Sequence, residues 1–377
     1  MKKILILLFA ITAVCCYGNN RFLELSVVYP LSTNKSKSDS TNVNLALFQN
    51  SLGYIHGFSF CGISAICKSD VKGLQASLLY SQINDNLKGV SFATVNVVND
   101  SVKGVQSSLA ANLLGRSFQG YQTAGIVNFV GGYFKGVQQS TVFNIIGRSF
   151  IGVQSAGAGN VVGENFTGAQ IATTFNFTAK KMKGMQWSGM NVCGELHGLQ
   201  LGYGNIAQKN YGWQIGLLNI AEEQKGIPIG FVNLSDDGNV QWQTYFSNFA
   251  GFITAIRFES NNFVSSLEMG GPNLESEIEE SIMFGFHYGY RIPINKFGLE
   301  ADFGYFHTMK NPENEDSDLS NSMAVQIRCS ISYKVNRWLS IFAGVGGTSM
   351  ADYPEDLDDE VENEKDSTLY FAGVNLF

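Results

Sequence analysis

Charge is scarce in this chain: only 15% of its 377 residues are Asp, Glu, Lys or Arg, against about 25% in an ordinary soluble domain. Proline is scarcer, with 6 residues, and histidine numbers 4. Few prolines beside 41 glycines, with no three-residue period, exclude a collagen-like chain. The net charge of −7 argues against nucleic acid as a partner, since that role needs a basic face. No apolar run reaches the ~18 residues of a membrane-spanning helix. Cysteines are few and scattered. Outside the N-terminal segment Cys61, Cys67, Cys193 and Cys329 show no C-x-x-C spacing, so they are not a metal framework. Cys61 and Cys67 could pair in an oxidising compartment; the alternative is that all four fill strands as small apolar side chains. What is not scarce is apolar residue, at 45%, which excludes a disordered chain of low hydrophobicity.

The N-terminus reads as a secretory signal. Lys2 and Lys3 precede an apolar run, Ile4 to Val14, broken only by Thr12 and about half of what a spanning helix needs. Small residues Cys16 and Gly18 place cleavage after Gly18, so segment 1–18 is expected to be removed. A lipoprotein reading competes, because Cys15 and Cys16 follow the run. It fits less well, because Val14 stands where a lipobox wants a small residue.

The middle of the chain is a repeat. Gly57, Gly73, Gly89, Gly104, Gly120, Gly136, Gly152, Gly168, Gly184, Gly198, Gly212 and Gly226 form one series. Its spacing is almost constant up to Gly184 and slightly shorter from there to Gly226. Two positions after most of these glycines stands Gln: Gln75, Gln106, Gln122, Gln138, Gln154, Gln170, Gln186, Gln200 and Gln214. Further on in each unit stands Asn, including Asn112, Asn128, Asn144, Asn160 and Asn176. Val, Phe, Ile, Thr and Tyr fill the units and turn residues bound them, which marks them as β. Two geometries fit. Each unit is one coil of a β-solenoid, with Gln and Asn stacked in ladders, or each is one strand of a single wide barrel. The step from Gln138 to Asn144 is one position longer than the step from Gln214 to Asn219. A one-position change flips a side chain to the other face of a continuous strand, but a corner between two strands absorbs it. The solenoid is therefore favoured over residues 57–239, after an N-terminal strand and lead-in at 19–56.

From residue 240 to 377 the glycine phase is lost and long strands of period 2 appear. Ile282, Phe284, Phe286, Tyr288, Tyr290 and Ile292 alternate with Met283, Gly285, His287, Gly289 and Arg291. One face is apolar and the other polar or glycine, as a transmembrane barrel requires. Short connections alternate with three long ones (270–280, 308–321 and 350–367), which carry 17 of the 32 acids. That concentration leaves the repeats and strands nearly neutral. Nine strands are candidates, and a closed barrel of eight is expected, with 22–31 or 241–249 belonging elsewhere. Arg257, Glu259, Glu268, Arg291, Glu300, Asp302, Arg328 and Lys334 are expected in its lumen as structural ion pairs. A soluble antiparallel sheet is the alternative that signal, strand length and loop asymmetry weigh against.

The G-V-Q-x-x-x-x-x-N units at Gly104–Asn112 and Gly136–Asn144, with the shorter unit Gly212–Asn219, resemble the bacterial surface-repeat proteins of spirochaetes and Bacteroidetes. The resemblance covers about Gly57 to Asn233. The ending Leu369–Phe377 is similar to the terminal strand of outer-membrane proteins, with Phe377 matching their last aromatic and Asn375 departing from their pattern. The family implies a surface location and no settled activity.

Signals for chemistry are weak. Gly157-x-Gly159-x-x-x-Gly163 mimics a phosphate loop but has no following helix. His56 and His197 share the position before the repeat glycine and read as surface residues. His307 is the rim histidine a lipid hydrolase would need. Asp356-Leu357-Asp358-Asp359-Glu360 could offer oxygens to calcium, but reads as a solvated loop. The expectation is an all-β outer-membrane surface protein of a Gram-negative bacterium, with loops exposed at the cell surface. A barrel anchors a repeat with a structural or partner-binding role. No catalysis, cofactor or metal is expected; the membrane is the partner, with a glycan or protein ligand unidentified. The Gln and Asn ladders are the candidate binding or structural residues. The alternative is a pore with a wide polar lumen.

Overall fold

The structure is a computed structural model, describing residues 20–28, 31–32, 40–271, 282–309, 322–352 and 365–377. The expected signal segment 1–18, the acidic run 356–360 and most of the three long acidic connections lie outside them. Every regular element among the described residues is a strand, arranged as a parallel β-solenoid of about 13 coils and a closed barrel of eight antiparallel strands. A single wide barrel is not formed. The chain divides into two compact units, 1–194 and 195–377.

In the first unit one sequence repeat makes one coil. Phe118–Ala124 and Val127–Val130 are the two strands in the coil of Gly120, joined by a short corner. Each strand pairs in parallel with its counterpart in the next coil: Phe118 with Phe134, Gly120 with Gly136, Gln122 with Gln138, and Asn128 with Asn144. Phe118, Gln122 and Ala124 of the first strand and Asn128 and Val130 of the second point inward and are buried, while Ile126 at the corner between them is exposed. Phe118, Phe134, Phe150 and Phe166 stack inside with ring centroids 4.8–5.1 Å apart. Gly120 lies between Phe118 and Gln122 at φ +135°, half-buried, and a Cβ there would stand 2.0 Å from the carbonyl oxygen of Gly104 in the preceding coil. That clash, repeated coil after coil, explains the phased glycines.

The N-terminal strand Asn20–Val28 pairs in parallel with Ser40–Ala46, and Ser40–Ala46 with Tyr54–Cys61. It therefore belongs to the solenoid, and the expected lead-in is itself coiled. Cys61 and Cys67 are separate buried thiols, so the disulfide alternative is not realised. Cys193 is likewise a buried thiol, and Cys329 is exposed.

The second unit opens with shorter coils. Gly204–Asn210 pairs with Leu218–Gln224, and Trp213–Ile215 with Ile227–Ile229. The barrel follows as Asn239–Ser247, Gly251–Ser260, Phe263–Gly270, Ile282–Ile294, Phe297–Met309, Ser322–Lys334, Leu339–Asp352 and Lys365–Leu376. Trp242 opposite Leu376 closes the ring. Asn261 and Asn295 take left-handed φ values of 58° and 55° in tight turns, where a short polar side chain tolerates that backbone. The last coil rests on the outer wall of the barrel. Phe231 meets Phe286 edge-on at 4.5 Å, Tyr288 Oη donates to the Pro228 carbonyl at 2.8 Å, and Ser235 and Ser260 share a 2.7 Å hydrogen bond.

The ladder at Asn144 gives a direct test. Asn144→Leu removes the acceptor of Asn128 and the donor to Asn160. It is expected to cost about 2–4 kcal/mol by leaving buried amide groups unpaired. Leucine at the exposed neighbour Gln139 should cost under about 0.5 kcal/mol. Thermal unfolding followed by circular dichroism compares them.

Candidate functional site

Two constellations gather the residues that the sequence singles out. The first is the pair of amide ladders. Gln106, Gln122, Gln138, Gln154 and Gln170 are fully buried, and each Nε2 from Gln122 onward donates to the Oε1 of the preceding glutamine at 2.8–3.0 Å. Asn112, Asn128, Asn144 and Asn160 run the other way, each Nδ2 donating to the Oδ1 of the next asparagine at 2.8–2.9 Å. The same Nδ2 groups donate across the corner to the carbonyls of Thr123, Gln139, Ser155 and Ile171. Asn176 carries the chain on to Asn191. With side chains at 0% exposure, the ladders present no surface to a ligand, and their polar groups are engaged internally except at the head of the glutamine series, where Gln106 Nε2 has no partner among the described residues.

In the second unit Asn205 donates to Asn219 and Asn219 to Asn233, at 2.9 and 2.8 Å. Asn233 then donates to Ser265 Oγ at 3.1 Å. Ser265 sits on the outward face of a barrel strand yet is fully buried. It ends the ladder on the barrel wall. No sequence signal marks this serine, because the alternation around it is that of any barrel strand.

The second constellation is the lumen. Arg257 forms a two-pronged pair with Glu300, its Nη1 at 2.7 Å from Oε1. Arg291 Nη1 stands 2.8 and 2.9 Å from the two oxygens of Glu259. Arg328 gathers the rest: Nε donates to Asp302 at 2.7 Å, Nη2 to Glu268 at 3.2 Å, and Nη1 to Tyr245 Oη at 2.7 Å. Tyr245 and Ser266 also donate to Glu268, and His287 Nδ1 stands 3.2 Å from it. Seven of the eight expected lumen charges are thus brought together in pairs. Lys334 is not among them. It is exposed near the strand end, with its Nζ 5.1 Å over the Phe377 ring.

Towards the end that bears the long connections, the lumen is filled by Tyr245, Ile253, Met283, Phe306, Phe342, Leu369 and Phe371. Gly285 and Gly304 make room for this filling. A Cβ at Gly304 would fall 2.0 Å from the His287 ring, and one at Gly285 would fall 2.4 Å from Phe306. The sequence reads these glycines as lumen-facing but does not reveal that aromatic rings occupy their space.

The remaining histidines stay apart. His56 is exposed, and His197 stacks on Tyr211 at 4.9 Å with Glu195 3.5 Å away. His307 is half-buried on the outer face, and its Nδ1 has no hydrogen-bond partner among the described residues. Among those residues no three His, Cys, Asp or Glu side chains stand together as metal ligands. Compared with family models, curated proteins and solved structures, the chain matches none.

This chemistry sets two expectations. Arg328→Leu leaves Glu268 and Asp302 buried without their cation and should cost about 3–5 kcal/mol. It should lower the temperature at which the folded band is lost on a heat-modifiability gel, whereas Lys334→Leu should leave it in place. The second expectation concerns thiols of the first unit. Burial pushes Cys67 and Cys193 up from 9.0 to about 12. Both are neutral in either state below pH 9. Between pH 9 and about 12 only the unfolded chain ionises them, so stability falls by about 1.4 kcal/mol per pH unit for each thiol. Alkaline unfolding of the Cys67→Ala, Cys193→Ala double variant should show a shallower decline.

Proposed function

We propose that this protein is a barrel-anchored β-repeat of the outer membrane with a structural or partner-binding role and no catalysis. The signal segment 1–18 takes it across the inner membrane of a Gram-negative cell. The observation that carries the reading is the contrast between the two faces of the closed barrel. On its outer wall Trp242, Phe246, Phe252, Phe303, Ile327 and Val345 are each more than half exposed. Its inner face holds paired charges and packed rings. An exposed apolar band around a satisfied polar interior is the arrangement a bilayer selects. The strands run from the short Phe263–Gly270 to the long Leu339–Asp352, a range that suits a tilted crossing.

Outer-membrane barrels keep their short turns in the periplasm. The first barrel strand begins beside the end that bears the turns 261–262 and 295–296, since Asn239 pairs with Glu259. In this reading coils 195–235 lie on the periplasmic side, and connections 271–281, 310–321 and 353–364 lie at the cell surface. The pore reading needs a wide lumen built from repeat strands; the coils supply none, and eight strands leave room only for side chains.

Cell fractionation and planar-bilayer recording test this. The protein should partition with the outer membrane, migrate heat-modifiably and conduct little or nothing. Protease applied to intact cells should cut within 353–364 and spare 195–235. Recovery in the soluble fraction, or a large steady conductance, would sink the proposal.

A further inference from the structure

The solenoid of the first unit is basic. Residues 54–194 carry ten Lys and Arg against four Asp and Glu, although the whole chain stands at −7. The repeats taken together remain nearly neutral, because residues 195–239 carry five acids against two lysines, but the coils of the first unit are not. Half of those cations occupy one column. The residue before each repeat glycine points outward and pairs in register with its equivalent: Lys72 with Lys88, Lys88 with Lys103, Lys103 with Gln119, and Gln119 with Lys135. Lys183 extends the same column further along.

All five lysines are exposed, and no ion pair engages any of them among the described residues. Like charges directly opposite one another on neighbouring strands are destabilising. The four acids of this stretch do not relieve them. Asp70 accepts from Asn86 and Asp85 from Ser69, while Asp100 stands with Arg116 and Glu164 with Lys180.

The column borders a groove of about 320 Å³ lined by Lys103, Gln119 and Lys135 together with Ser101, Ser117 and Tyr133. On the other side of the bare glycine column runs a ridge of outward residues, Leu74, Val90, Val105, Tyr121, Val137 and Val153 in register. A periodic line of cations beside an apolar ridge suits a periodic anion with apolar faces. Successive coils rise by about 4.8 Å, so alternate lysines stand about 9.6 Å apart, near the repeat of an extended disaccharide.

We propose that this lysine column and its ridge bind an extended glycan bearing carboxylates, the sugar faces lying on the ridge and the carboxylates on the lysines. A single-stranded nucleic acid fits less well, because base stacking wants aromatic platforms and the ridge is almost wholly aliphatic. The proposal rests on the partner-binding part of the function above, but not on the membrane anchor.

The test is binding of hyaluronate, which carries one carboxylate per disaccharide, to the full chain in detergent micelles. Neutral dextran, polyphosphate and oligo-thymidylate serve as comparisons. The protein should bind hyaluronate with an affinity that falls as salt rises, and should not bind dextran. The triple variant Lys72→Gln, Lys88→Gln, Lys103→Gln should bind about tenfold more weakly, the loss of about 1.4 kcal/mol spread over three exposed ion pairs. It uses a residue that the column already holds at Gln119, so its circular dichroism should match the parent. A charge-matched triple off the column, Lys209→Gln, Lys225→Gln, Lys296→Gln, should bind within about twofold of the parent. Absence of hyaluronate binding overturns the proposal. So does an equal loss in both triples, or polyphosphate or oligo-thymidylate binding as tightly as hyaluronate. None of these results bears on outer-membrane fractionation, which tests the anchor separately.

Discussion

The buried side-chain amide is the constraint on which this molecule depends. An amide in a dry interior is costly unless each of its donors and acceptors is engaged. In the coils, the engagement comes from an identical amide one coil away. That solution exists only in register. Slipping one coil by a single position would turn the glutamine and asparagine outward and drive solvent-facing residues inward. The ladders therefore specify the stacking more strictly than the phenylalanine column does, since one apolar side chain substitutes for another with modest loss. Glycine serves the same end. Its positive φ and missing Cβ let the strand pass close to the coil before it while the amide two positions on is aimed inward.

A ladder must end, and an open end is an exposed strand edge with unpaired groups. In the second unit the asparagine series ends on Ser265 of the barrel, and the last coil is covered by Phe286 and Tyr288. This changes how one part of the barrel wall is read. Ser265 and Phe258 lie on the face that alternation assigns to lipid, yet both are buried under the coil. The barrel is thus a cap for these coils as well as a closed sheet.

Inside the barrel a different rule operates. Three arginines face four carboxylates, and each arginine's fork is directed at oxygen atoms on other strands. Such pairs contribute little net stability against an apolar filling, but breaking one leaves a stranded charge. They also fix which strands are neighbours across the lumen, because a planar guanidinium accepts few alternative geometries. Glycine recurs here for space rather than for conformation: Gly285 and Gly304 vacate volume that Phe306 and His287 fill.

Much of this was legible in the residues themselves, because repetition and alternation are properties of sequence. The near-constant period, the phased Gly, Gln and Asn, and the switch to period 2 near residue 240 follow from what stacked coils and amphipathic strands require. The one-position change between Gln138–Asn144 and Gln214–Asn219 favoured coil over strand, since a corner absorbs it, and the parallel pairing of successive coils decided between them. Three things depended on tertiary structure. Membership of strand 20–28 was open, because its alternation suits coil and barrel alike and only its parallel pairing with 40–46 decides. Lys334 shares the parity of the lumen charges, but its place near the strand end leaves it outside the network, which no pattern of period 2 records. The lysine column appears in sequence as scattered single charges in an acidic chain; parallel stacking converts them into one line, because residues a full repeat apart in the chain become neighbours in space.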